Sequence, residues 1–166
     1  GAPALALGVD PPDAGLMRAP PRPPHAGVIT PRMWRGIFFV GAVMAAGALF
    51  VLDWSLPGGL VEGSGTLRYG QTMAFTTLML AQLFNVLNAR SEEGSAFRAL
   101  FRNRWLWAAI ALSLALHAAV VYVPVLQAAF STQALTDADW LRCATVASAV
   151  LWVRELDKLV RRGRGG

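Results

Sequence analysis

Between Arg35 and Asp53 the chain carries no charge, and residues 36–52 (GIFFVGAVMAAGALFVL) are apolar or small throughout. A helix built from such a run has no polar face to turn toward water, so it is either buried all round or embedded in lipid. Trp34 and Trp54 bracket it, about 30 Å apart at ~1.5 Å per residue, where aromatic side chains meet the two interfaces of a bilayer. Three more segments fit the same scale. Residues 69–88 are apolar but carry Thr72, Thr76, Thr77, Gln82, Asn85 and Asn88. Residues 105–123 have Trp105 and Trp107 at one end and Tyr122 at the other, and Pro124 closes them. Residues 140–159 hold a shorter uncharged stretch, 143–153, between Arg142 and Arg154, whose long side chains reach back to the interfaces.

Composition agrees with lipid as the solvent. Charged residues make up 15% of the chain, against about 25% in soluble domains. The basic residues set the direction. Arg18, Arg22, Arg32 and Arg35 precede the first span, and Arg90, Arg98, Arg102 and Arg104 fill the loop between the second and third. Arg154, Lys158, Arg161, Arg162 and Arg164 end the chain, leaving only Arg68 and Arg142 on the other side. The positive-inside rule therefore puts both termini and the middle loop in the cytoplasm, and an odd number of spans would break the asymmetry. The net charge of +5 does not point to nucleic acid, because the basic residues lie between apolar runs rather than along one face. With Cys143 as the only cysteine there is no internal disulfide and no cysteine metal cluster.

The sequence thus predicts an all-α integral membrane bundle of four transmembrane helices, about 34–53, 69–89, 105–123 and 140–159, within a domain spanning 36–160. Residues 161–166 form a basic cytoplasmic tail. Residues 1–35 are different. Pro11, Pro12, Pro20, Pro21, Pro23, Pro24 and Pro31 forbid a continuous helix, so this is a proline-rich cytoplasmic segment, with no apolar core of a cleavable signal peptide in its first 30 residues. Its opening string, GAPALALG, reads as the last turns of a longer membrane helix. On the far side, Pro57, Gly58 and Gly59 mark a turn, the apolar stretch 125–130 is expected in the interface, and Thr136, Asp137 and Asp139 offer N-cap chemistry to the fourth helix.

Several strings, read in order, resemble one family. GAPALALGVDPPDAGLM with Pro20-Pro21-Arg22, then QTMAFTTLMLAQLFNVLNARS, LSLALHAAVVYVP and the closing VRELDKLVRR are similar to the C-terminal membrane region of type II, calcium-pump-like P-type cation-transporting ATPases. The resemblance covers nearly the whole chain. It implies that the four spans are helices seven to ten of a ten-helix membrane domain, supporting an ATP-driven transporter of a calcium-like cation. The implied partners are the lipid bilayer, the remaining membrane helices, the phosphorylation domain and the transported cation; a bacterial-type plasma membrane is the implied location. ATP and Mg would be cofactors of the parent protein and not of this chain, which contains no Asp-Lys-Thr-Gly-Thr phosphorylation motif and is no enzyme by itself. The loop departs from the family's Met-x-Arg-Pro-Pro-Arg at Met17-Arg18-Ala19-Pro20-Pro21-Arg22. The alternative reading is a stand-alone four-span structural or regulatory membrane protein.

The resemblance also singles out Gln82. Helix eight of two-site calcium pumps offers a glutamate there, and one-site pumps commonly a glutamine. Asn85, three residues on, shares its helix face, and amide oxygens can coordinate hard cations. Both are candidate metal residues, lining a cation pathway that other helices complete; the bland alternative is an interhelical hydrogen bond. His117, mid-span without a second histidine, cysteine or carboxylate nearby, is expected to hydrogen-bond structurally. The four-residue spacing of Gly41 and Ala45, and of Ala111, Ala115 and Ala119, suits close helix packing. The Glu92–Glu93 pair reads as a solvated loop face.

Overall fold

The computed structural model describes residues 2–8, 30–89 and 104–163, and every regular element among them is a helix. Helix α1 (Ala2–Gly8) is short. Helix α2 (Pro31–Ser55) starts where Thr30 Oγ1 accepts a hydrogen bond from Met33 N and Pro31 occupies the first turn, which has no use for its missing N–H. It stops at Leu56, followed by Pro57 and by Gly58 at φ +81°. Helix α3 (Leu67–Ala89) is capped the same way, with Thr66 Oγ1 accepting from Tyr69 N. Helix α4 (Arg104–Tyr122) yields at Pro124 to helix α5 (Pro124–Phe130), which ends on Ser131 in the left-handed region at φ 54°. Helix α6 (Asp137–Gly163) opens on a reciprocal cap: Thr136 Oγ1 accepts from Asp139 N, and Asp139 Oδ2 accepts from Thr136 N at 2.9 Å.

Helix α3 is the axis of the bundle, flanked by α2 and α6. Their shared core includes Val51, Met73, Leu80, Ala81, Cys143, Ala147 and Val150, all at most 8% exposed. Small residues let the helices close: a Cβ on Gly47 would sit 3.2 Å from Val146 Cγ1. A second cluster joins Ala6 of α1 to Leu106, Ala109 and Ile110 of α4, with Leu83, Val86 and Leu87 of α3 packed against it. Large apolar side chains point outward instead of inward along α2 (Ile37, Phe38, Phe39, Leu49) and α4 (Leu112, Leu116). An exposed apolar surface of that extent is what a bundle solvated by lipid presents.

Each of the four ranges predicted from sequence falls within one long helix to within a residue. Two of these helices, Met33–Ser55 and Arg104–Tyr122, are apolar and long enough to cross a membrane by length and composition. By that measure α3 and α6 fall short. The reason is chemical: α3 spends positions on threonines and amides, and α6 opens and closes on charged residues. The stretch 125–130, expected to lie in the interface, is helix α5, with Val125 and Phe130 exposed. The proline-rich segment 9–29, the Glu92–Glu93 loop and residues 164–166 lie outside the described residues.

Candidate cation-pathway site

The polar positions of α3 divide among three neighbours. Thr72 and Thr77 hydroxyls donate back to the carbonyls of Arg68 and Met73, which satisfies them inside the helix. Thr76 Oγ1 instead lies 2.9 Å from His117 Nε2 of α4, and both residues are buried. The His117 ring is held between Phe75 (centroids 4.8 Å apart) and the edge of Trp140 (5.7 Å). This is the hydrogen-bonding role expected of His117. Asn88, fully buried, donates from Nδ2 to the Val150 carbonyl of α6 at 3.1 Å.

Gln82 takes the remaining side. It is exposed, and it lines a groove of about 450 Å³ between α1, α3 and α4. The walls are Pro3 and Ala4 of α1, Met79 and Val86 of α3, and Leu116 and Val120 of α4, with Ser113 and His117 as the other polar groups. The Ser113 hydroxyl is committed to the Ala109 carbonyl at 2.8 Å and His117 to Thr76, so among the described residues the Gln82 amide is the uncommitted polar group there. Asn85 is half-buried and lies outside the lining of this groove. The two amides picked out together are therefore placed apart. Among the described residues no group of three histidine, cysteine or carboxylate side chains comes together to hold a metal ion. Among the described residues, the chemistry available on this flank is one amide oxygen facing a space that they leave open.

At the opposite end of α3 lies a second polar group, of which the residues alone show only the helix cap. Asp139 is buried at the start of α6, and its Oδ1 accepts from Tyr69 OH at 2.6 Å, across 70 residues of chain. Thr136 N and Oγ1 donate to Oδ2, and Arg142 Nη1 lies 3.4 Å from Oδ1. Burial alone would raise the pKa of this carboxyl; the hydrogen bonds from Tyr69 and Thr136, with the Arg142 charge, outweigh it and hold the group below its ordinary range. Around it the loops are tied down. Arg68 Nη2 donates to the Gln127 carbonyl, Gln133 N to Thr72 Oγ1, and Tyr122 OH to the Leu135 carbonyl.

Comparison with known proteins follows the same layout. Residues 1–160 match the family model described as cation transporting ATPase, C-terminus. The chain is 36% identical over 145 residues to a calcium-transporting ATPase of Bacillus subtilis, covering 85% of this chain and 15% of that protein. It is 36% identical over 160 residues to the mouse calcium-transporting ATPase type 2C member 2, covering 96% of this chain and 16% of that one. The human type 2C member 1 is 33% identical over 165 residues, 99% of this chain and 17% of its own length. The chain thus spans about one-sixth of the length of the relatives it matches.

Proposed function

The chain belongs to the C-terminal family of cation-transporting ATPases, and from that premise we propose that it is the four-span membrane brace of an ATP-driven pump for a calcium-like cation. Its spans, about 34–53, 69–89, 105–123 and 140–159, leave both termini and the middle loop in the cytoplasm. ATP hydrolysis with Mg and the phosphorylated aspartate belong to the rest of the pump, as do the helices that complete the ion site. The α2–α3–α6 core holds α3 rigid, and α3 offers Gln82 to the ion route, with Asn85 one turn further along.

One observation carries this reading: Gln82 is exposed in a groove beside α1. In the resembled family a cation-binding aspartate on the sixth membrane helix directly precedes the string that Gly1, Ala2 and Pro3 match. An amide at the mouth of that groove is a neutral oxygen donor that tolerates a hard cation and binds it weakly alone, as a residue completing a shared site should. The charge asymmetry supports the topology independently.

Accessibility labelling tests the topology in the full-length pump on a Cys143→Ala background. Cysteines introduced at Leu60 and Ala134 should react with an impermeant thiol reagent only from outside, and one at Ser95 only from the cytoplasm. Labelling of Leu60→Cys and Ser95→Cys from one side would overturn the four-span model.

A further inference from the structure

At the end of the bundle that holds Trp54 and Tyr69, far from the Gln82 groove, the α2–α3 loop and the starts of α3 and α6 enclose a basin of about 760 Å³. Its shape is preformed. Asp53 Oδ2 accepts from Leu60 N at 2.8 Å, and Gly63 N and Gly65 N donate to the Leu56 and Ser55 carbonyls at 3.1 and 3.0 Å. A side chain at Gly63 would run into the Trp54 carbonyl, and one at Gly65 into the Tyr69 ring, so the loop is pressed against α2 and α3 and presents Glu62 and Ser64 as a fixed wall.

The basin brings opposite charges to one space: Glu62 from the loop and Arg142 from α6. Arg142 is half exposed and spends one nitrogen on a long 3.4 Å contact with Asp139, which leaves most of its donor fork free. Gln133 accepts from Thr66 through Oε1, so its NH₂ group remains available beside it. A guanidinium, an amide NH₂ and the Ser64 hydroxyl facing one space are a recognition set for a phosphate group. Glu62 disfavours a free anion there and suits an ammonium on the same ligand. The Trp54 ring has its face taken by Arg142, 5.6 Å from the centroid, so it is not open to a quaternary amine. Beyond Trp54, with ring centroids 5.8 Å apart, Phe50 is 45% exposed and continues the wall as an apolar strip.

We propose that this basin binds the headgroup of a zwitterionic phospholipid bearing a primary amine, of the phosphoethanolamine class. Its phosphate sits on Arg142 and Gln133, its ammonium on Glu62, and its acyl chains lie along Phe50. The leaflet concerned follows from the topology proposed above, whereas retention of the lipid does not depend on it. The labelling experiment and the lipid experiment therefore fail separately.

Native mass spectrometry of the full-length pump in detergent, titrated with dioleoyl phosphatidylethanolamine, phosphatidylcholine or phosphatidylglycerol, tests the assignment. Wild type should retain phosphatidylethanolamine in preference to the other two. Arg142→Ala should weaken that binding about tenfold, as expected for losing a charge-assisted phosphate contact. Glu62→Gln, which breaks no contact among the described residues, should keep the fold and abolish the preference for the primary amine. It decides the matter if Arg142→Ala is poorly expressed. Equal retention of all three lipids by wild type, or an unchanged preference in Glu62→Gln, overturns the proposal. Displacement of the bound lipid by excess inorganic phosphate would mark a free-anion site and overturn it as well.

Discussion

The two flanks of α3 are built to different ends. Toward α2 and α6 the helix meets a continuous core, with Cys143, Ala147 and Val150 at most 2% exposed and its one fully buried amide, Asn88, donating to the Val150 carbonyl while its Oδ1 meets no partner among the described residues. Toward α4 it meets the Phe75 and Thr76 contacts with His117, Val121 at the edge of the main core and a small second cluster, then opens into the Gln82 groove. In lipid there is no hydrophobic drive between helices, so close packing and hydrogen bonds decide which pairs hold fast. The first flank has both and is a strut. The second, among the described residues, has polarity without closure.

Enlarging small residues on each side should separate the flanks most sharply. Ala147→Leu forces extra methyl groups into the α3–α6 seam, where only 2% of the residue is exposed, and overpacking of that kind costs roughly 1–3 kcal/mol. Ala115→Leu should leave the melting temperature in detergent nearly unchanged, because Ala115, placed by its four-residue spacing on a helix-packing face, is exposed on the outward side of α4. Equal losses from the two would erase the distinction between strut and open face.

The next effect belongs to Asp139, which locks the N-terminal ends of α3 and α6. Asp139→Ala strips Tyr69 and Thr136 of their shared acceptor, which should cost on the order of 1–3 kcal/mol. Its pH dependence has a definite sign. Because the fold holds this carboxyl below its ordinary pKa, its stabilising contribution is complete above the unfolded value of about 3.9 and is lost as pH falls through the folded value. Acidification below about pH 4 should therefore destabilise wild type more than Asp139→Ala; parallel acid curves for the two would contradict it. The contact is also local to this end of the bundle, so it should leave the Gln82 flank unaffected.

A smaller loss is expected from His117→Leu, which removes the partner of Thr76 and retains an apolar side chain of useful size. Interhelical hydrogen bonds in membranes average about 0.6 kcal/mol, and Thr76 can return to its own helix backbone. A shift several times larger would mean that α4 is held as firmly as α6.

These contrasts also explain what could be read from the residues alone. Helix limits were visible where a single position dictates backbone chemistry, at Pro124 after Tyr122 and at Thr136 with Asp139, but not at the start of α2, where Pro31, counted with the helix-forbidding prolines of the N-terminal segment, occupies the first turn. The short helix α5 was not, because a brief apolar stretch has no periodicity that separates a helix from an interfacial coil. The Tyr69–Asp139 contact joins residues 70 apart, and nothing local in either predicts the other. The amides of α3 were the harder case. Positions three apart share a face only briefly, because at ~100° per residue six positions amount to about 240° of rotation. Gln82 and Asn88 therefore stand about 120° apart around the axis and look to different flanks, one exposed and one buried, with Asn85 between them.

The smallest expected effect on stability is the most informative for function. Gln82→Leu roughly preserves volume, and among the described residues its side chain makes no hydrogen bond, so detergent stability of the full-length pump should move by less than about 0.5 kcal/mol. Apparent cation affinity in transport assays should nevertheless fall, because the exchange removes the uncommitted oxygen donor of the groove. Gln82→Glu places a charge at the same point and should change ion stoichiometry or the pH dependence of transport, since a carboxylate must stay ionised to hold a cation. Asn88→Leu is the matched control: it removes an amide from the buried flank and should lower stability while leaving cation affinity unchanged. The opposite pattern would sink the pathway assignment, with Gln82→Leu destabilising the protein and sparing affinity. It would make Gln82 a helix-packing residue, and the open face of α3 a site for another helix and not for an ion.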